Sequence, residues 1–511
     1  MQIIDNKALL YKLRNPAPVL AAIPDSKLID ANTVAVRWDL PQVHTLRSLN
    51  MEAPSPIVGR YGWPGKYKPF DHQRTTAEFL TLNKRAFCFS EPGTGKTGSA
   101  IWAADYLMTR GLVKRVLIVC PVSIMDAAWR SDLFNFAMHR TVDIAHGAAA
   151  KRRKIIASGA EFIIINFDGL GVVEKEIAEG GFDLIIVDEA SSYQNAQTKR
   201  WKTLKRLVGD DTWLWMMTGT PAAQSPANAY GLAKLVNPKG VPRFFGAFRD
   251  QVMVKITPFK WAVKPDANDT VFRVLQPAIR FTKAECLDLP DMMYVKRTVE
   301  LTAQQKQYYE RIRKDKMMRA AGEDITAVNA AVLMTKLLQV ACGAAYTDDS
   351  NTLQFDISSR YKVLKEVIDE TPNKVLVFVP FQNTIEILTE KLRGDGISTE
   401  IISGSVKAGD RTDIFRRFQT ETDPKVLVIQ PQAAAHGVTL TAADTVVWWG
   451  PTPSLEIYAQ ANARIHRSGQ KNKCTVVQLE GSPVERRIYG LLDDKIDVHS
   501  KMVDLYKGLL D

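Results

Sequence analysis

The sequence predicts an α/β chain with two separate parallel-sheet lobes, a mainly helical insertion between them and a small N-terminal accessory domain. Three observations predict it. At about 150 residues per domain, 511 residues make about three domains. With 46% hydrophobic and 24% charged residues the chain can fill several cores, which excludes disordered, collagen-like and disulfide-scaffold chains. Finally, β-like apolar runs recur in two regions, each followed by a helix-compatible stretch, and that alternation builds parallel sheets.

Taken in order, residues 1–67 carry Pro16, Pro18, Pro24, Pro41, Pro54, Pro56 and Pro64 with one strand-like run, Thr33–Trp38, and are expected to form the accessory module. The first lobe, 68–243, has its runs at Arg85–Ser90, Val116–Cys120, Phe162–Ile165, Leu184–Val187 and Trp213–Met217, with amphipathic segments such as Thr97–Thr109 between them. In 244–358, Glu300–Arg319 and Thr326–Val340 have helical spacing and Thr257–Asn268 reads as irregular, which predicts the helical insertion. The second lobe, 359–511, has runs at Val375–Val379, Thr399–Ile402, Val426–Ile429, Thr445–Trp448 and Thr475–Leu479, then a C-terminal helix.

Lysine and arginine number 67 against 56 acids, and the net charge of +11 favours a polyanionic partner, nucleic acid first. The five cysteines form no C-x-x-C pair, so neither a zinc site nor a disulfide framework is signalled, and a reducing cytoplasm is expected. His436 and His466 lack further ligands at metal spacing. The N-terminus has no basic-then-apolar leader and no run approaches ~18 apolar residues, so neither export nor a membrane partner is expected.

The chemistry begins at SEPGTGKT, Ser90 to Thr97, which stands between a strand and a helix as a phosphate-cradling loop must. Gly93 and Gly95 let backbone N–H groups turn onto phosphate oxygens, with the positive helix end behind them. Glu91, Pro92 and Thr94 complete the cofactor-binding loop; Lys96 is assigned to the β- and γ-phosphates and Thr97 to magnesium. The first position of the strict pattern is glycine, and here it is Ser90. A second element, LIIVDEAS from Leu184 to Ser191, is a buried strand ending in two acids, a placement that points carboxylates into the crevice above a sheet. Asp188 is the expected magnesium ligand and Glu189 the expected general base. ATP and Mg are thus the expected cofactors.

With these motifs the chain resembles the superfamily 2 helicases and, within them, the SWI/SNF-type ATPases that translocate on duplex DNA; the match runs in order over most of Lys68–Lys501. KPFDHQ (Lys68 to Gln73) resembles the adenine-reading motif, which implies that Gln73 bonds the base edge. VLIVCPVSIMDAAW (Val116 to Trp129) resembles the motif that touches the DNA backbone, and MMTGTPAAQS (Met216 to Ser225) resembles the third motif. IRFTKAECLDLP (Ile279 to Pro290) and LTAQQKQYY (Leu301 to Tyr309) resemble the segment that opens the second lobe. There, KVLVFVPF (Lys374 to Phe381), AAHGVTLTAADTVVWW (Ala434 to Trp449) and QANARIHRSGQ (Gln460 to Gln470) resemble the fourth, fifth and sixth motifs, and Gly437 joins the cofactor-binding set. Ser191, Thr439 and Ser468 depart from the family's usual His, Asn and Ile. The resemblance implies two RecA-like lobes in a minimal bacterial or phage member. Arg464 and Arg467, three apart, are expected on one helical face as arginine fingers, with Gln460 one turn earlier at the γ-phosphate or the water.

The implied activity is a DNA-dependent ATP hydrolase, a translocase acting on duplex or branched DNA through phosphate contacts in fork or recombination-intermediate remodelling. RNA is the less favoured track, and protein partners are unassigned. The alternatives are a strand-separating DNA or RNA helicase and a clamp that binds ATP without turnover. Basic clusters at Lys151–Lys154, at Lys199–Arg206 and at Arg311–Arg319 are candidate phosphate contacts, the last being favoured. Trp448-Trp449 on a strand would place one ring in the core and leave at most one for base stacking. His72 is expected in the adenine-side loop rather than as a catalyst.

Overall fold

The computed structural model describes residues 1–219, 221, 225–257, 260–286, 290–320, 327–346, 352–434, 438–467 and 469–494, and it divides into two units, Met1–Cys286 and Leu287–Asp511. Unit 1 opens with a four-stranded antiparallel sheet, β1 (Gln2–Ile4), β2 (Ala8–Lys12), β3 (Lys27–Asp30) and β4 (Thr33–Arg37), in the order β1-β2-β4-β3. Alternation along β2 and β4 buries Leu9, Tyr11, Val34 and Val36 on one face. Trp38 and the helix Leu40–Ser48, through Val43 and Leu46, join the same core. Of these strands the sequence showed only β4: β1 has three residues and β3 is fully exposed, so neither carries an apolar signature, and the alternation along β2 was missed.

The main sheet of unit 1 has seven strands, all parallel: β5 (Arg85–Cys88), β6 (Val116–Cys120), β7 (Val142–Ala145), β8 (Phe162–Asn166), β9 (Leu184–Asp188), β10 (Trp213–Met217) and, after a hairpin of β11 (Met253–Thr257) and β12 (Lys260–Val263), β13 (Ala278–Ile279). The order is β13-β5-β10-β9-β6-β8-β7. Burial on both faces explains the unbroken apolar runs: Leu117 and Val119 of β6 enter one core, and Val116, Ile118 and Cys120 enter the other.

Unit 2 repeats the scheme with six parallel strands, β14 (Met292–Thr298), then β17 (Lys374–Phe378), β18 (Thr399–Ile402), β19 (Val426–Ile429), β20 (Ala443–Trp448) and β21 (Cys474–Glu480), in the order β14-β21-β20-β17-β19-β18. Between β14 and β17 lie the helices Ala303–Ala320 and Ala327–Cys342 and the hairpin β15 (Ala344–Tyr346) and β16 (Thr352–Gln354). The helix Pro483–Asp493, capped by Ser482 and Glu485, closes the described part of the unit.

One expectation is corrected here. The stretch 244–358 is not one helical insertion. Its first part supplies the β11–β12 hairpin, where Thr257–Asn268 was expected to be irregular, and adds β13 beside β5; its later part adds β14 beside β21. Both added strands are sheet edges, β13 hidden by its two-residue length and β14 by its polar-interrupted sequence. Trp448 and Trp449 do point to opposite faces, but both are buried, one in each of the two cores that sandwich the sheet, so neither offers a ring for base stacking. No helix among the described residues is long and apolar enough to cross a membrane.

Candidate active site

The register of the unit 1 sheet brings the two candidate motifs together. Met217, the last residue of β10, pairs with Cys88 of β5 on one side and with Asp188 of β9 on the other. The loop that follows β5 and the acids that end β9 therefore sit at the same level, two strand spacings or ~10 Å apart. Between them the chain leaves β10 as Thr218-Gly219, with the Thr218 N–H donating to the Cys88 carbonyl at 3.1 Å. A Cβ added to Gly219 would lie 2.9 Å from Pro92 Cδ, so glycine is what lets the third motif lie against the phosphate loop.

Ser90–Gly95 is a compact loop with Gly93 at φ +93° and Gly95 at φ +79°, left-handed values that glycine adopts without strain. Gly95 caps the helix Lys96–Thr109, whose first N–H groups face the loop's concavity, and Thr97 lies half-buried in its first turn. The Lys96 ammonium folds back to donate to the Ser90 carbonyl at 2.6 Å. Thr94 Oγ1 donates to the Glu91 carbonyl, and the His72 ring bonds the Thr94 carbonyl at 2.8 Å, which makes His72 a support of the phosphate loop. Gln73 is fixed at both ends. Its carbonyl accepts the Phe70 N–H at 2.9 Å and its amide donates to the Gly95 carbonyl at 3.3 Å, so both ends of the side chain tie the helix start to the phosphate loop.

Asp188 is half-buried at the end of β9, where its carboxylate accepts from the Trp129 indole and the Glu189 N–H, both at 3.0 Å. Burial pushes its pKa above the ordinary carboxylate range, an effect the nearby Lys96 ammonium partly offsets. Glu189 has φ +52°, a strained conformation for a non-glycine residue and one that concentrates at functional sites. A hydroxyl at Thr97 and a carboxylate at Asp188 form a hard-oxygen donor set of the kind magnesium takes when phosphates and waters supply its remaining ligands, so these residues fit the ion. Among the described residues no group of three or more His, Cys, Asp or Glu could hold a metal.

In unit 2 the helix Leu455–Asn462 ends before the arginines, which corrects the expected shared helical face. Asn462 accepts the Trp448 indole N–H at 2.9 Å, and the chain turns so that the Arg464 carbonyl accepts from Leu440 N. Arg464 is buried, its guanidinium donating to the Val438 carbonyl, whereas Arg467 is half-buried and donates to the Ala463 carbonyl and to Thr439 Oγ1 at 3.2 Å. Thr439, a departure from the family pattern, thus orients the more accessible arginine. Gln470 fastens the turn, its amide facing the Thr441, Ala443 and Ile465 carbonyls. Gln460 is buried and donates to Glu456. Gly437 and His436 lie outside the described residues, as do Ser468 and Thr220.

Trp129 was read as part of a motif facing a partner, yet it is buried and holds Asp188; nothing local in the sequence signals a bond spanning 59 residues. Of the basic clusters, Arg152 is buried against the Ala145 and Gly147 carbonyls, and Arg200 and Arg206 pair with Asp168 and Glu174. In the favoured helix Arg313 pairs with Glu310, while the side chains from Lys314 to Ala320 lie outside the described set.

Comparison with known proteins agrees with this architecture. The model of the SNF2-related domain matches residues 72–344, and that of the helicase conserved C-terminal domain matches 359–469. An uncharacterised ATP-dependent helicase of Mycoplasma genitalium is 25% identical over 443 residues, 82% of this chain and 40% of the relative. The SWI/SNF-related matrix-associated actin-dependent regulator of chromatin subfamily A-like protein 1 of Xenopus tropicalis is 25% identical over 97% of this chain and 50% of its own length. The chain thus spans about half the length of these relatives or somewhat less. Among solved structures, the Sulfolobus solfataricus SWI2/SNF2 ATPase core in complex with dsDNA aligns at a TM-score of 0.42 and 20% identity, covering 87% of this chain and 94% of that one. With the SNF2 model covering more than half of its residues and the helicase C-terminal model following in order, the chain belongs to the SNF2-related family of helicase-like proteins.

Proposed function

We propose that the protein is an ATP-hydrolysing motor that translocates on duplex or branched DNA. The observation that carries this reading is the shared level of the phosphate loop and the Asp188-Glu189 pair on either side of β10. In this reading the loop N–H groups and Lys96 bind the phosphates, and Thr97 and Asp188 hold magnesium, which when bound neutralises phosphate charge. Trp129 orients Asp188. Glu189 takes the proton of the attacking water, and the strained backbone at that residue fixes where its carboxylate starts. Arg467, held by Thr439, and Arg464 are needed for turnover, with Gln460 in support. DNA is engaged through its phosphates, in keeping with the net charge of +11.

The test is ATP hydrolysis with no nucleic acid, single-stranded DNA, duplex DNA and RNA side by side. Duplex DNA should stimulate most, and Arg467→Ala should lower the stimulated rate by about 10³-fold or more. Stimulation by RNA alone would replace the DNA reading, strand displacement on forked substrates would favour a separating helicase, and nucleotide binding without turnover would leave a clamp.

A further inference from the structure

The segment by which the chain leaves unit 1 runs along the phosphate loop. Parallel to β5, it hands over one hydrogen bond after another: Phe87 N to the Pro277 carbonyl at 3.0 Å, Phe89 N to Ile279 at 2.8 Å, and Glu91 N to Phe281 at 2.9 Å. Past the strand, two side chains of the loop take over as acceptors. Ser90 Oγ accepts the Phe281 N–H at 3.1 Å, and a Glu91 carboxylate oxygen accepts the Lys283 N–H at 3.1 Å. The ring of Phe281 also lies 5.9 Å from His72, which itself holds Thr94 of the loop. Five residues after Phe281 the unit ends at Cys286.

Ser90 takes the first position of the phosphate-loop pattern in place of glycine, and Glu91 takes the variable position after it. We propose that here they are positioning residues that tie the exit segment 277–286 to the nucleotide. The link is a partner exchange at one residue. Ser90 accepts from Lys96 through its carbonyl and from Phe281 through its hydroxyl. A bound phosphate is a charged acceptor and outcompetes a neutral carbonyl for the Lys96 ammonium. The Ser90 carbonyl then gives up Lys96, the loop closes on the phosphate, and the hydroxyl, which also accepts from Cys88 Sγ, and the Glu91 carboxylate draw the exit segment with it. The segment is thereby ordered by nucleotide and leads directly into the chain of unit 2. This inference rests on the ATP-binding reading above and adds the route by which occupancy is passed on.

Hydrogen exchange of peptides spanning 277–286, with and without a non-hydrolysable ATP analogue and magnesium, tests it on the full-length protein. In the unaltered chain the analogue should slow exchange at Phe281 and Lys283 by about tenfold or more. In Ser90→Ala the Phe281 amide lacks its side-chain acceptor and should exchange fast in both states. Lys283→Pro removes the second donor at a first helical position, where proline is tolerated. It should keep basal ATP hydrolysis while losing at least about fivefold of the nucleic-acid stimulation. A chain that binds no nucleotide would sink the ATP reading itself. Nucleotide binding without slowed exchange, or slowing at Phe281 that persists in Ser90→Ala, would overturn the coupling alone, as would full stimulation in Lys283→Pro.

Discussion

At the scale of single residues, the candidate site separates binding from chemistry. Lys96 makes one bond from the surface of its loop, to Ser90, so Lys96→Ala should remove ATP turnover while changing the melting temperature little. Glu189→Gln should do something different: nucleotide affinity stays within a few-fold because Asp188 and the loop are untouched, yet turnover falls by about 10²-fold or more. Equilibrium binding of a fluorescent nucleotide beside single-turnover hydrolysis distinguishes the two, and parallel loss of affinity in Glu189→Gln would remove the general-base assignment. The phosphate loop and the acid pair were legible in the sequence because each is a short local pattern fixed to a strand end. Gln73, Trp129 and Ser90 were not read in the same way. Their partners are Gly95, Asp188 and Phe281, and bonds over such separations leave no periodic trace.

Among elements, buried strands were the easiest to find and edges the hardest. Strands β8, β9 and β19, covered on both faces, are unbroken apolar runs; β7 and β14 are edges whose polar residues read as loop. The end of the helix Leu455–Asn462 was misplaced because its stop is tertiary, set by the Trp448 bond to Asn462 rather than by a glycine or proline. Element packing in unit 2 also depends on an ion pair that the sequence hides. Arg360, in the helix Ser358–Glu370, and Glu485, in the helix Pro483–Asp493, meet at 2.8 Å with both side chains buried, and Arg360 also donates to the Trp449 carbonyl. Removing one partner strands the other charge, so Glu485→Ala should cost ~3–5 kcal/mol in denaturant unfolding of unit 2, while Arg360→Met with Glu485→Leu should recover much of it. Equal loss in both variants would mean that the capping box at Ser482, rather than the charge pair, carries the effect.

For the whole molecule the net charge of +11 makes a claim of its own. If binding to DNA is through phosphates, the logarithm of affinity should fall linearly with the logarithm of salt, with a slope near −0.9 per contact. Fluorescence anisotropy of a duplex across a salt series measures the slope, and an affinity insensitive to salt would remove phosphate contacts as the basis of binding. The two-lobe plan was legible because it depends on counting runs; the join between lobes was not, since the connecting stretch contributes one edge strand to each sheet and so belongs to neither neighbour by composition.

The dipeptide Trp448-Trp449 sends one indole into each of the two hydrophobic layers of unit 2. A single peptide bond is thus the shortest mechanical path from one layer to the other, and each ring is also pinned by its indole N–H, to Asn462 on one side and to the Cys342 carbonyl on the other. Sliding one layer over the sheet would have to break a pinned ring out of close packing. The unit is therefore stiff in shear, like a board nailed through from both sides.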